Sequence, residues 1–220
     1  MGIEALAILV ILIMSIVLHE MAHGYAANWL GDPTARLAGR LSSNPLVHID
    51  LLGSVIVPAL LFISNAGFIF GWAKPVPYNP YNLNNQKWGE AMVAAAGPAT
   101  NIILAIVFAF IIRLEALLGL PASFIDLAVY AVFINILLAF FNMIPVPPLD
   151  GSKILMAVLP YQLAMRYRNL TMAIERMGIF VLFVILFILV QFIWPHLFLF
   201  VIKAGGLLTG LGASGFYNLL

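Results

Sequence analysis

The 220-residue sequence contains no cysteine. Disulfides and thiolate metal sites are therefore excluded, and no redox compartment can be read from it. Charge is almost as scarce. Asp, Glu, Lys and Arg together make up 9% of the chain, the net charge is +1, and there is no basic tract or aromatic-basic array. Nothing in that pattern offers a footing for nucleic acid. Hydrophobic side chains make up 64%, and the mean hydropathy of +1.08 is outside the range of soluble domains. The chain reads as an integral membrane protein whose surroundings are the lipid bilayer. Its N-terminal apolar run lacks the Lys/Arg-rich start of a signal peptide and carries Glu4 instead, so it reads as a retained span.

Four histidines stand in this apolar background, and two of them fall in Leu18-His19-Glu20-Met21-Ala22-His23-Gly24, inside a hydrophobic run from Ile3 to Leu30. In a helix, His19 and His23 lie one turn apart on one face, where two imidazole nitrogens can converge on a single Zn²⁺. Glu20, rotated off that face, reaches water at the ion. The plainer reading is a helix end with capping polar groups. Intramembrane His and Glu are costly and rarely unpaired, which favours the metal.

Along the chain, the first helix is expected over Ile3 to Leu30, stopped by Gly31-Asp32-Pro33. Thr34 to Asp50 is a polar connection in which Leu37 to Leu41 suits a short strand. His48 reads as a surface residue or as support near the site, with Asp50 two residues on as a partner. Leu51 to Phe70 is apolar but interrupted by Gly53, Pro58, Ser64-Asn65 and Gly67, so it is either a full crossing or a re-entrant hairpin. In Gly71-Trp72-Ala73-Lys74-Pro75-Val76-Pro77, two prolines favour an extended edge segment. A span over Trp88 to Arg113 holds Gly97, Pro98 and Asn101; the last makes either an interhelical hydrogen bond or a substrate contact. Another span, Phe124 to Met143, carries Asn135 and Asn142. Pro145, Pro147 and Pro148 then forbid a regular helix, leaving Asp150 on a stiff, extended segment. Asp150 serves as a third zinc ligand, as N-cap of a helix over Ser152 to Leu159, or as both. Tyr161 to Arg176 looks interfacial, Gly178 to Ile202 is a supporting span with His196 near its end, and Lys203 to Leu220 is a glycine-rich tail. No repeat or linker divides the chain, so 1–220 is read as one domain: a catalytic core of about 1–160, an interfacial segment 161–177, and a C-terminal span and tail 178–220.

Parity and charge choose between the two paths for Leu51 to Phe70. Three ligands within about 2 Å of one ion must meet at one depth. With a hairpin, one side collects Arg36, Arg40, Lys74, Lys87, Lys153, Arg166, Arg168 and Arg176, against Arg113 and Lys203 on the other. With a full crossing the split is four against six. Short cytoplasmic loops collect Lys and Arg, so the eight-to-two arrangement is expected. The fold class is an all-α polytopic membrane protein of four to five transmembrane helices. A re-entrant hairpin or short strands lie between the first helix and the Gly97-Pro98 helix. The N-terminus is placed outside and the site opens toward the cytoplasm.

Taken together, His19-Glu20-x-x-His23, Gly97-Pro98-x-x-Asn101 and Asn142-x-x-Pro145-x-x-Pro148-Leu149-Asp150-Gly151 resemble the site-2 protease family of intramembrane zinc metalloproteases, over residues 1 to about 160. His48-Ile49-Asp50 and Gly71 to Pro77 look like its compact prokaryotic branch. Two departures are Leu51, where that branch has proline, and the lack of a PDZ or CBS module in these 220 residues. The resemblance implies one Zn²⁺ per chain held by His19, His23 and Asp150, Glu20 as general base, and Asn142 as a substrate-positioning or oxyanion group. It implies a transmembrane protein substrate cleaved in or near its membrane segments, in a prokaryotic plasma membrane. Because helical carbonyls are locked, the substrate must unwind, and residues 71–77 and 145–149 are expected to pair with it by strand addition. The oligomeric state is not legible. A membrane metal transporter would instead string ligands along several spans, and a pseudoprotease would not need Glu20.

Overall fold

The computed structural model describes residues 3–42, 44–57, 60, 63 and 73–220. Among them lie nine α-helices: α1 (Ile3–Trp29), α2 (Thr34–Leu37), α3 (Gly89–Arg113), α4 (Glu115–Leu118), α5 (Ala122–Asn142), α6 (Asp150–Val158), α7 (Tyr161–Arg176), α8 (Ile179–Thr209) and α9 (Gly212–Asn218). Four contain stretches long and apolar enough to cross a membrane: Leu6–Trp29, Gly89–Arg113, Ala122–Asn142 and Phe187–Thr209. The chain is an all-α polytopic membrane protein. Among the described residues there is no strand. Leu37 closes α2, Ala38 and Gly39 turn, and Gly39 takes φ +65°, so the short strand expected there is absent. Most of the re-entrant path expected over 51–70 lies outside the described residues; its first turn, Leu51–Ile56, is π-helical and is capped by Asp50, which accepts the Gly53 N–H at 2.7 Å.

The small residues of α3 explain its central place. Ala91, Ala94, Gly97, Pro98, Asn101, Ala105, Ala109 and Ile112 recur every three or four positions and are buried. Lipid gives helices no hydrophobic reason to associate, so close backbone approach and side-chain hydrogen bonds must serve. This stripe supplies both, and α3 packs against α1, α5, α6 and α8.

The C-terminal tail is better ordered than its glycines suggest. α8 runs on through Lys203, Gly205 and Gly206 to Thr209, and α9 folds back onto it. A Cβ on Gly205 would lie 2.4 Å from the Phe216 ring, and one on Gly206 would lie 2.4 Å from the backbone of Gly212. These glycines are contact surfaces, not breakers. Pro195 sits inside α8 without ending it, so His196 lies within the span and not at its edge.

Residues 73–84 are laid along the C-terminal half of α1. Val76 N–H reaches Glu20, Asn79 N–H reaches Asp32 at 2.6 Å, and Asn84 N–H reaches the Leu30 carbonyl at 2.8 Å. Arg40 ties the two flanks together, donating to the carbonyls of Val47, Lys74 and Pro75, while Lys74 N–H donates to the His48 carbonyl. Residues 32 and 79 therefore share one end of α1. The choice between a hairpin and a full crossing falls on residues 58–72, which lie largely outside the described residues.

Asp32 is the anchor of that junction. It is fully buried, and its two oxygens accept from Thr34 N–H and Oγ1, Asn79 N–H and Asn82 Nδ2. Burial works to raise its pKa, but the donors from Thr34, Asn82 and Asn79 outweigh it and hold the carboxyl below its ordinary value. A depressed folded-state pKa contributes stability that is complete above about pH 4 and disappears as pH falls through the folded value. Asp32→Asn is expected to cost about 1–3 kcal/mol at pH 7, because it faces a donor with a donor. Thermal unfolding in detergent should show that gap closing below about pH 4.

Candidate metal centre

α1 presents His19 and His23 one turn apart, with ring centroids 4.7 Å apart and planes nearly perpendicular at 86°. Asp150 comes from the first turn of α6. Leu149 is the N-cap of that helix and makes no side-chain cap bond, so the carboxylate is not consumed in capping. Asp150 Oδ2 lies 3.2 Å from His19 Nε2 and 3.3 Å from His23 Nε2. Ligand atoms of all three residues lie within 4.8 Å of one another. The segment before Asp150 is folded into turns, not extended: Val146 N–H reaches the Ile144 carbonyl and Leu149 N–H the Val146 carbonyl. What holds it is Gly151, where a Cβ would lie 2.1 Å from the Met143 carbonyl oxygen.

The outer nitrogens of both rings decide what the inner ones offer. His23 Nδ1 lies 2.7 Å from the Val93 carbonyl, in the turn preceding Pro98. A carbonyl only accepts, so Nδ1 carries the proton and Nε2 presents a lone pair. His19 Nδ1 faces Asn101 Oδ1 at 2.5 Å, with the same consequence. Two lone pairs and a carboxylate then face one another in a buried place, and something positive must lie between them. A charge-assisted hydrogen bond would draw N and O to about 2.7–2.9 Å. The observed 3.2 and 3.3 Å instead match the roughly 3.3 Å edge of a tetrahedron with metal bonds of about 2.0–2.1 Å. The donor set fits zinc.

α3 is cut away where the imidazoles sit. A Cβ on Gly97 would lie 2.5 Å from His19 Nε2 and 2.6 Å from His23 Cε1. Glu20 is held from the other side, where its Oε2 accepts the Val76 N–H at 3.0 Å. Gly24 makes that bond possible, because a Cβ there would lie 2.8 Å from Val76 Cγ1 and 2.5 Å from Leu41 Cδ2. The sequence singled out Gly97 within Gly97-Pro98-x-x-Asn101 but not its place against the imidazoles, and it gave no sign of the Val76 amide.

The other expected site residues are distributed as follows. Asn101 is fully buried behind His19, its oxygen toward the ring and its amino group 2.7 Å from Asn135 Oδ1. Of the two partners expected for it, the interhelical hydrogen bond is the one present. Asn142, half-buried at the end of α5, donates to the Leu138 carbonyl at 2.9 Å. His48 is buried with Nε2 2.8 Å from the Ser42 carbonyl, and Asp50 caps Leu51–Ile56; neither is in the three-residue cluster. The strand-addition expectation also changes. Lys74 N–H and O, Pro75 O and Val76 N–H are all engaged within the protein, and Pro75 and Pro77 have no N–H. Lys153, which the sequence offered only as one of the charges on that side, stands one turn after Asp150 with its ammonium 5.2 Å from the centre of the Tyr78 ring.

With this geometry in view, comparison with known proteins is decisive. The model of peptidase family M50 matches residues 7–117 and 119–189. The chain belongs to peptidase family M50, the site-2 protease family. It is a zinc metallopeptidase with membrane-spanning helices. It is 34% identical over 159 residues to "Putative zinc metalloprotease YwhC" of Bacillus subtilis, covering 70% of this chain and 69% of that one. Over 147 residues it is 30% identical to "Putative zinc metalloprotease Rip2" of Mycolicibacterium smegmatis, covering 63% of this chain and 52% of the relative. A 64-residue stretch is 45% identical to "Putative zinc metalloprotease MJ0611" of Methanocaldococcus jannaschii, 29% of this chain and 31% of that one. No solved structure matches significantly.

The two glycines make room for different groups, Gly97 for the two imidazoles and Gly24 for the segment that holds Glu20. Gly97→Ala is expected to lower zinc content on chelator titration by on the order of tenfold or more in affinity, since it displaces both rings. Gly24→Ala should keep zinc but lower kcat by up to about 100-fold, the scale of a roughly 1 Å misplacement of a reacting group. Loss of zinc in Gly24→Ala would contradict this division.

Proposed function

We propose that this peptidase hydrolyses peptide bonds in or near the transmembrane segments of membrane-protein substrates, using one zinc ion per chain held by His19, His23 and Asp150. The observation that carries the reading is the buried set of two Nε2 lone pairs and a carboxylate at 3.2 and 3.3 Å. Bound there, zinc supplies Lewis acidity that polarises a scissile carbonyl and acidifies the attacking water.

Each protein group then has a defined task. The Val93 carbonyl and Asn101 fix the tautomers of the two histidines, so that Nε2 stays free of a proton. Glu20 acts as general base: Val76 N–H holds Oε2, and Oε1 takes the proton of the attacking water and delivers it to the leaving amine. Asn142 has a second Nδ2 hydrogen beyond the one given to Leu138, and this positions the substrate or its oxyanion. His48 and Asp50 support the loop that flanks the site. The extended segment forms the wall that seats Glu20, and the unwound substrate lies elsewhere along the site.

The site opens toward the cytoplasm of a prokaryotic plasma membrane. Arg40 and Lys74 meet in one hydrogen bond at the α1 end that bears Asp32, and this side would collect eight of the ten Lys and Arg residues. Cleavage of this kind suits regulated intramembrane proteolysis.

Glu20→Gln is expected to retain zinc while cleavage of a transmembrane-peptide library falls by on the order of 10²–10⁴. Undiminished cleavage would remove Glu20 from its role. The absence of native cysteine makes topology directly testable with single-cysteine variants. In intact cells a membrane-impermeant thiol reagent should label Arg113→Cys and Lys203→Cys but not Arg36→Cys or Arg168→Cys; the opposite pattern would invert the orientation.

A further inference from the structure

Asn101 does not end the hydrogen-bond chain that begins at His19. Its Nδ2 donates to Asn135 Oδ1 at 2.7 Å, and Asn135 Nδ2 donates to both Ser15 Oγ and the Ala131 carbonyl at 2.9 Å. Asn101, Asn135 and Ser15 are 0%, 1% and 4% exposed. Ser15 stands one turn before His19 on α1. The chain of bonds therefore leaves α1, crosses α3 and α5, and returns to α1 on the face from which it started.

Its polarity is set from the far end. The Ala131 carbonyl only accepts, so the atom of Asn135 that faces it is Nδ2. Asn135 Oδ1 is thereby turned to Asn101, which must answer with Nδ2. Asn101 Oδ1 is then left for His19, and His19 Nδ1 must carry the proton. Turning over either amide would set two donors or two acceptors against each other. Interhelical hydrogen bonds add only modestly to membrane-protein stability, because polar groups find other partners in the unfolded state. A chain of amides ending on a candidate metal ligand is better accounted for by orientation than by adhesion.

We propose that Asn135 is a positioning residue for the metal centre: through Asn101 it fixes the tautomer and ring plane of His19, with Ser15 and the Ala131 carbonyl as its fixed end. This rests on the reading of His19 as a zinc ligand. Without the Asn135 carboxamide, the Asn101 amide is free to turn over and offer Nδ2 to His19 Nδ1. The imidazole proton then resides on Nε2, and the nitrogen facing Asp150 has no lone pair for metal.

The test uses the full chain purified in detergent. Zinc affinity is measured by chelator competition. The imidazole tautomers of the metal-free protein are read from ¹⁵N spectra of histidine-labelled samples, which contain four histidines to assign. Asn135→Leu is expected to lower zinc affinity about 10–100-fold, the usual cost of losing an outer partner of a ligating histidine. It should also shift His19 from the Nδ1–H toward the Nε2–H form, leaving His23 on its Val93 carbonyl unmoved. Asn135→Ser, too short to reach Asn101, is judged by the same two readings should Asn135→Leu not fold. Unchanged affinity with an unchanged His19 tautomer overturns the proposal. So does a fall in affinity with the tautomer unmoved, which is what general loosening of the helix packing would give. His23→Ala separates the two levels: it should lose zinc while His19 keeps its Nδ1–H form, and full zinc binding by that variant would overturn the metal centre itself.

Discussion

Two imidazole lone pairs and a carboxylate turned on one another, away from water, repel unless a cation lies among them, and the low dielectric of the site enlarges that repulsion. The features nearest the site follow from tolerating this arrangement. α1 supplies two of the groups by its one-turn spacing. α3 gives up a side chain at Gly97 so the rings fit, and supplies the Val93 carbonyl and Asn101 that keep their protons on the outer nitrogens. The start of α6 is pressed so tightly against Met143 that only glycine fits at 151, which fixes Asp150 at the depth of the histidines. Each of these choices costs local packing or propensity. Together they hold the three groups where a cation would fit.

Much of this was legible in the sequence, because the signals are local. Helix ends at Gly31-Asp32-Pro33, Gly119 and Asn142 to Pro145 are set by backbone chemistry within a few residues. The expected termini of α1, α3 and α5 agree with the observed ones to within two residues. The cluster was legible because His19, His23 and Asp150 are ionisable groups in apolar surroundings. The reading failed where a residue's role depends on a distant partner. Gly205 and Gly206 look like breakers until Phe216 and Gly212 fold against them, and the prolines before Asp150 suggest an extended segment although the chain there closes into turns. Asn101 was known to need a partner. That the partners would be His19 and Asn135 depends on how three helices register, which no single stretch encodes.

The placement of the described flanks of residues 58–72 follows from hydrogen bonds as well. Asp32 binds Asn79 and Asn82, and Arg40 binds the carbonyls of Lys74 and Pro75, so both flanks close on the end of α1. This matters for parity. Asp150 follows two further spans, α3 and α5, and an even number of crossings returns it to the side where α1 ends. Had the flanks parted, Asp150 would approach from the opposite side of the membrane.

The Val76 amide sets a further limit on how an unwound peptide can be received. An extended segment beside Glu20 invites the idea that a substrate strand pairs with it. Here the amide nearest the base is already donated to the base, and the carbonyls on either side of Pro75's amide-free nitrogen are held by Arg40. A peptide that took the Val76 N–H would release Glu20 from the geometry it needs to act on that peptide. Strand pairing at this position and proton transfer by Glu20 therefore compete. In the function proposed above, the competition is avoided when residues 74–76 stay a fixed wall and Oε1 of Glu20, not the oxygen held by Val76, takes the proton.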